Sequence, residues 1–234
     1  MKKTYQSLFI SDLHLGSSFN KSEKLFELLE NIVVKRIFLI GDIIDITASQ
    51  EHPDVIKFAT LLDSKSWEVI YLSGNHEDDR KRTPPISISL EKKLFPLDYY
   101  YIYENDNNRV YLEHGHTFHE KNLFNIILKR VVIYLKLKVF RKIKKSTRKK
   151  GQRKDNFYYT KIKPIAQKLL INSFQSYMVS CAKKNECNIV ICGHFHIPNS
   201  KNIKNIHYLN CGDWLEHSSF IVEEINGEFN YKYL

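Results

Sequence analysis

Five times in this chain a short apolar, β-rich run stops on a polar residue able to bind a cation. "SLFIS" runs into Asp12, "RIFLIG" into Asp42, "EVIYLSG" into Asn75 and His76, "RVYLE" into His114 and "NIVICG" into His194. Several of these stops carry a glycine, which lets the backbone turn sharply. Helix-like stretches separate the early runs. Ser22 is expected to cap "EKLFELLENIV", and Pro53 stands in the first turn of "PDVIKFATLLDS". Strand alternating with helix predicts parallel strands joined by right-handed crossovers, an α/β core whose carboxyl edge receives ligands.

The second half reads differently. "YYYIYEN" and "RVYLEHG" flank the turn-like "DNN" and predict a hairpin. A helix is expected from about Pro164 to Lys184, then strands at "NIVICGH", "IHYLNCGD", "SSFIVEEI" and "EFNYKYL", the last two joined at Asn226-Gly227. These strands are expected to be mostly antiparallel. A two-sheet sandwich flanked by helices accommodates both halves.

In "GHFH", strand alternation would send His194 and His196 into one space. A lone H-x-H is more often a pair of surface histidines; its weight comes from the other clusters, "DLH" with Asp12 and His14, "GDIID" with Asp42 and Asp45, "GNHE" and "EHGH". Nitrogen and oxygen donors without thiolate suit Mn²⁺, Fe or Zn²⁺. Cys181, Cys187, Cys192 and Cys211 form no C-x-x-C pair and lie in apolar surroundings, as reduced buried thiols do. The N-terminus meets Asp12 before any signal-peptide apolar region develops, which predicts a cytoplasmic protein.

Charge is unevenly spread. The chain carries +10 overall, yet between Lys121 and Lys163 there are 16 basic residues against the single acid Asp155, leaving −5 elsewhere. Within this segment Lys129, Arg130, Lys136 and Lys138 interrupt the apolar residues, so no run approaches the ~20 needed to span a bilayer. Apolar faces edged with cations fit an interfacial helix or acyl-chain clamp, and equally a lid packed on the core. "RKKGQRKDNFYY" also places aromatics beside cations, as single-strand nucleic-acid surfaces do.

The ordered set D-x-H, G-D-x-x-D, G-N-H-[DE], histidine before glycine and G-H-x-H, spanning residues 8–213, resembles the calcineurin-like metallophosphoesterases. The resemblance implies a four-layer α-β-β-α sandwich and two divalent transition-metal ions, manganese foremost, iron or zinc as alternatives. Asp12, His14 and His196 would hold the first ion, Asn75, His114 and His194 the second, with Asp42 bridging. His76 would donate a proton to the leaving oxygen and Asp45 would orient it, unless Asp45 merely caps the next helix. His116 and His119 are expected to be supporting or surface groups, and His52, His207 and His217 ordinary histidines.

"HYLNCGDWLEHSSFIVEE" is similar to the carboxyl-terminal pattern of the UDP-2,3-diacylglucosamine pyrophosphatase group. That similarity implies a core over 1–118 and 164–234, a basic helical lid over 119–163, and a nucleotide-linked lipid substrate cleaved to UMP and a lipid monophosphate in lipid A biosynthesis. An anionic membrane surface at the inner face of the membrane would then be a partner through the lid. The chain departs from that group's enteric members, which read G-N-R-D where "GNHE" stands here, and which carry an acid where His116 stands. A phosphodiesterase or nuclease with another nucleotide or nucleic-acid substrate is the alternative, and a metal-free scaffold a third.

Overall fold

The structure is a computed structural model. It describes residues 2–49, 51–78, 96–97, 99–118 and 163–234. The insertion expected over 119–163, with His119, lies outside the described residues except for Lys163. Two compact units divide the chain: Met1–His116 with Met178–Leu234, and Thr117–Tyr177.

In chain order the elements are β1 (Lys3–Thr4), β2 (Ser7–Ile10), α1 (Ser22–Asn31), β3 (Ile32–Val33), β4 (Arg36–Ile40), α2 (Pro53–Asp63), β5 (Glu68–Leu72) and α3 (Asn75–Asp78). After these come β6 (Pro96–Leu97), β7 (Tyr100–Glu104), β8 (Arg109–Glu113), α4 (Lys163–Lys184), β9 (Ile189–Cys192), β10 (Asn199–Ile203), β11 (Ile206–Asn210), β12 (Ser219–Glu223) and β13 (Phe229–Tyr233).

Two larger sheets form, ordered β13-β12-β2-β4-β5-β6 and β10-β11-β9-β8-β7. In the first, β2, β4, β5 and β6 run parallel, and β12 pairs antiparallel with both β2 and β13. Side-chain alternation sorts the core. Leu8, Ile10, Ile37, Leu39, Val69 and Tyr71 share one buried cluster with Leu25 and Leu29 of α1 and Phe58 and Leu62 of α2. Phe9, Phe38, Ile40, Ile70 and Leu72, from the intervening positions, join Val110, Leu112, Ile189, Ile191 and Leu209 of the second sheet. Period-two patterning thus builds the helix layer and the inter-sheet core from the same strands. In the smaller unit, Phe118 meets Phe174 edge-on at 5.5 Å and the Thr117 hydroxyl lies 3.0 Å from that of Tyr177.

Two expectations need correction and one needs detail. Ser22 is the first residue of α1 and makes no side-chain cap; Asn20 Oδ1 accepts its N–H at 3.3 Å. The second half is mostly antiparallel, as expected, except that β9 pairs parallel with both β8 and β11. The polar strand β10, invisible to an apolar count, carries the chain back so that β11 can start beside β9. And β9 ends at Cys192, so no strand alternation relates His194 to His196.

Candidate metal centre

Because β2, β4 and β5 are parallel in one sheet and β8, β9 and β11 in the other, the loops that follow them leave from matching carboxyl ends. Backbone bonds stitch these loops together. Asp12 N–H donates to Gly41 O (3.1 Å), His14 N–H to Asp42 O (3.0 Å) and Gly193 N–H to His114 O (3.2 Å). Every residue singled out from the sequence for metal binding or catalysis lies in the unit Met1–His116 with Met178–Leu234.

The local backbone is strained. Asp12, His14, Asp42, His194 and His196 all adopt left-handed conformations, with φ between 47° and 69°. For non-glycine residues this costs of order 1–3 kcal/mol each and is retained at functional sites. A Cβ on Gly193 would strike Ser11 Oγ and Asp12 Oδ2, so only glycine lets the carboxylate settle there.

Asp12 is fully buried. Its Oδ2 accepts from Ser11 Oγ (2.6 Å) and His194 N–H (2.9 Å). Its Oδ1 has no hydrogen bond, although His196 Nε2 stands 3.1 Å and His14 Nε2 4.0 Å away. The two Nε2 atoms are 3.4 Å apart. Donors sharing one cation at about 2.1 Å would sit roughly 3.0–3.4 Å from one another; two of the three spacings match this, and the His14 Nε2–Asp12 Oδ1 distance is longer.

Asp42 forms the second focus. Its Oδ1 accepts His76 N–H at 2.9 Å, and its Oδ2 lies 3.5 Å from His114 Nε2 and 3.8 Å from His76 Nε2. His114 Nδ1 donates to Ile40 O at 2.9 Å, which leaves the lone pair of the neutral ring on Nε2, an atom without a hydrogen bond. Asn75 Oδ1 is likewise buried without a partner. Among the described residues, three triads have donor atoms within 4.8 Å of each other: Asp12, His14 and His196; His14, Asp42 and His76; Asp12, Asp42 and His114. His194 joins none of them, but its ring packs against His114 at 5.2 Å. His194 and His196 thus diverge from their turns, one toward His114 and one toward Asp12.

The electrostatics follow from crowding acids and imidazoles. Burial would raise Asp12 and Asp42, yet the His114 charge, joined by His196 at Asp12 and by His76 at Asp42, together outweighs it and holds both below the usual carboxylate range. Burial would lower His114 and His196, but Asp42 and Asp12 push His114 up to about 9, and Asp12 with Asp213 push His196 up to about 10. For His14 burial wins and its pKa is lowered. Protons on His114 and His196 therefore occupy the place of positive charge that a divalent cation would take. Unpartnered buried donors of nitrogen and oxygen type fit such a cation.

His76 Nδ1 accepts the Ile46 N–H at 3.1 Å, so the neutral ring carries its hydrogen on Nε2. Asp45, expected to orient His76, faces His14 Nδ1 at 3.6 Å and closes its own turn by accepting Thr47 N–H and Oγ1 at 2.9 and 2.6 Å. It does not cap α2, whose cap is His52, accepting Asp54 N–H at 3.3 Å. His116 is buried, its ring 5.6 Å from His114. Cys192 and Cys211 are buried with thiols raised by burial, Cys192 to about 12.

Two residues were missed. Glu77, inside the quoted "GNHE", accepts Asp42, Gly74 and Ile43 N–H at 2.8, 2.8 and 2.9 Å and so ties the two ligand-bearing turns together. Asp213 follows β11 and approaches His196 Nδ1 at 3.4 Å. "HYLNCGD" has the same apolar run, glycine and carboxylate as the five clusters, and could have been read as a sixth.

Residues 6–198 match the model of the calcineurin-like phosphoesterase family. No curated protein matches the chain. Among solved structures, a novel archaeal phosphodiesterase is 15% identical with a TM-score of 0.52, covering 97% of this chain and 99% of its own. Vps29 of Chaetomium thermophilum is 11% identical with a TM-score of 0.50, covering 98% and 94%. At such identities the likeness shows the shared fold alone. The family match covers most of the chain and falls on the strand-end donors described above: this chain belongs to the calcineurin-like phosphoesterase family and is a metal-dependent phosphoesterase.

Proposed function

We propose that the chain hydrolyses a phosphodiester or phosphoanhydride with two divalent cations, the first held by Asp12, His14 and His196, the second by Asn75, His114 and His194, and Asp42 between them. One observation carries this reading: Asp12 Oδ1, Asn75 Oδ1 and His114 Nε2 are buried without hydrogen bonds. Leaving such groups bare costs about 1–3 kcal/mol each, more for charged ones, and coordination offsets that. Manganese is the first ion to try, since the donors are imidazole, amide and carboxylate. When bound, such cations neutralise phosphoryl oxygens and acidify water.

The chain's own residues supply the rest. Ile46 N–H fixes the His76 ring with Nε2–H outward, so neutral His76 hydrogen-bonds to the leaving oxygen. Full proton transfer requires a cationic ring and therefore rupture of the Ile46 bond. Asp45 steadies His14 from behind.

For the substrate, the sequence similarity over "HYLNCGDWLEHSSFIVEE" and the apolar, basic segment 121–163 favour UDP-2,3-diacylglucosamine, with the segment meeting an anionic membrane at its inner face. The second reading is a phosphodiesterase or nuclease, favoured by the aromatics among the cations of "RKKGQRKDNFYY". The Vps29 likeness also brings in a scaffold, which the bare buried donors disfavour. The deciding experiment is a mass-spectrometric product assay with Mn²⁺ and UDP-diacylglucosamine, other UDP-sugars, cyclic dinucleotides and single-stranded DNA. The lipid reading expects UMP from the acylated sugar and a Val131→Asp variant impaired on it far more than on a small diester. Cleavage of DNA, with Val131→Asp harmless, would replace it by the second reading.

A further inference from the structure

The turn Asp213–His217 lies outside the donor set just proposed, yet two independent contacts join it to the first metal group. Asp213 is 1% exposed. Its Oδ1 accepts Leu215, Glu216 and His217 N–H at 3.1, 2.7 and 3.0 Å, so the carboxylate cannot rotate without breaking the turn. Its Oδ2 is thereby held for two imidazoles, His217 Nδ1 at 3.2 Å and His196 Nδ1 at 3.4 Å. The opposite nitrogen of His196, Nε2, faces Asp12 Oδ1 at 3.1 Å and His14 Nε2 at 3.4 Å. The backbone repeats the connection. Trp214 N–H donates to Asp12 O at 3.1 Å, and Trp214 O accepts Lys21 N–H at 2.9 Å, closing the loop that begins at Asp12 and His14.

We propose that Asp213 is a positioning residue for the first metal group, fixing His196 with hydrogen on Nδ1 and the lone pair on Nε2. A carboxylate can only accept, so a ring nitrogen beside Oδ2 must carry hydrogen. That leaves Nε2 as the ligating atom of the neutral ring, aimed where Asp12 Oδ1 and His14 Nε2 converge. Partners of this kind beyond the ligands are worth 10–100-fold in metal affinity. His217 shares the same oxygen without facing Asp12, which makes it an internal control. The inference rests on the two-ion reading above.

The variant to use is Asp213→Asn. Its oxygen can still accept the three backbone N–H groups of the turn, but its NH₂ meets His196 Nδ1 as a donor. That drives the ring hydrogen to Nε2 and blocks the lone pair. Calorimetric titration of the full chain with Mn²⁺ is the measurement. For wild type it is expected to give two binding events; with Asp213→Asn one weakens 10–100-fold and the other stays within about twofold, and with His217→Ala both stay. Wild type binding fewer than two ions would overturn the two-ion reading itself. Two intact events in Asp213→Asn, or equal weakening of both, would overturn the positioning role alone, the second outcome marking a general structural part.

Discussion

Two buried carboxylate groups lie at opposite edges of the same sheet, and only one of them is at rest. Glu223 ends β12 beside the start of β2 and is 1% exposed. Its Oε2 accepts from Ser7 Oγ at 2.5 Å and Tyr103 OH at 2.9 Å, its Oε1 from Asn105 Nδ2 at 2.7 Å, and Arg36 Nη1 donates to the same Tyr103 oxygen at 2.9 Å. None of these residues has a positive φ. At the carboxyl edge, Asp12 and Asp42 sit in left-handed turns among buried donors that lack hydrogen bonds. A satisfied network rigidifies; an unsatisfied, strained one is held by the structure around it and marks a place where a bound group would complete it. Burial of charge does not mark function by itself. The bare donor and the strained backbone together do.

The comparison is broken most severely at Asp42. Asp42→Ala is expected to remove at least ~10³-fold of activity, since on the proposed reading this carboxylate would help to hold both cations, while circular dichroism shows the fold retained. Next, His76→Ala should keep both metals but slow a diphosphate by 10²–10⁴-fold, and a nitrophenyl ester, whose leaving group needs no help, far less. Equal losses on the two substrates would contradict the assignment of His76 to the leaving oxygen.

The resting edge should answer in the opposite way. Glu223→Ala strands Ser7, Tyr103 and Asn105 and is expected to destabilise by about 3 kcal/mol in urea melts, with kcat/KM of the folded protein within about twofold of wild type. A large loss of activity at unchanged stability would dissolve the distinction between the edges.

The smallest effect is a pH dependence. Folded His114 and His196 hold protons up to about 9 and about 10, against about 6.5 in an unfolded chain. The folded state therefore binds more protons across that window, and stability falls as pH rises through it: the contribution is complete below about pH 6.5 and gone by about pH 10. Metal-free protein should melt lower as pH climbs from about 7 to about 10. Mn²⁺-loaded protein should not, because metal binding has already expelled those protons.

How much of this was legible beforehand follows from where each signal resides. The five strand-end clusters could be read because a parallel sheet turns a local pattern, apolar run then polar stop, into a common edge. The left-handed backbone of Asp12, His14 and Asp42 could not, because it is imposed by bonds between loops about 30 residues apart, such as Asp12 N–H to Gly41 O. The place of Asp45 in "GDIID" associates it with His76, whose charge it does feel, but its 3.6 Å approach to His14 Nδ1 depends on three-dimensional packing that the motif does not show. β10 escaped because "NSKNI" is held by pairing to β11 rather than by its own hydrophobicity. The Glu223 network has partners 118 to 216 positions distant, and no sequence period links them.

The central claim is that the carboxyl edge is incomplete without two ions. Its most direct test is elemental analysis of purified chain stripped with chelator, reloaded with Mn²⁺ and freed of excess, beside Asp42→Ala treated identically. Two manganese ions per wild-type chain and at most one in the variant are expected. A wild-type chain that retains no stoichiometric metal while keeping its fold would contradict it.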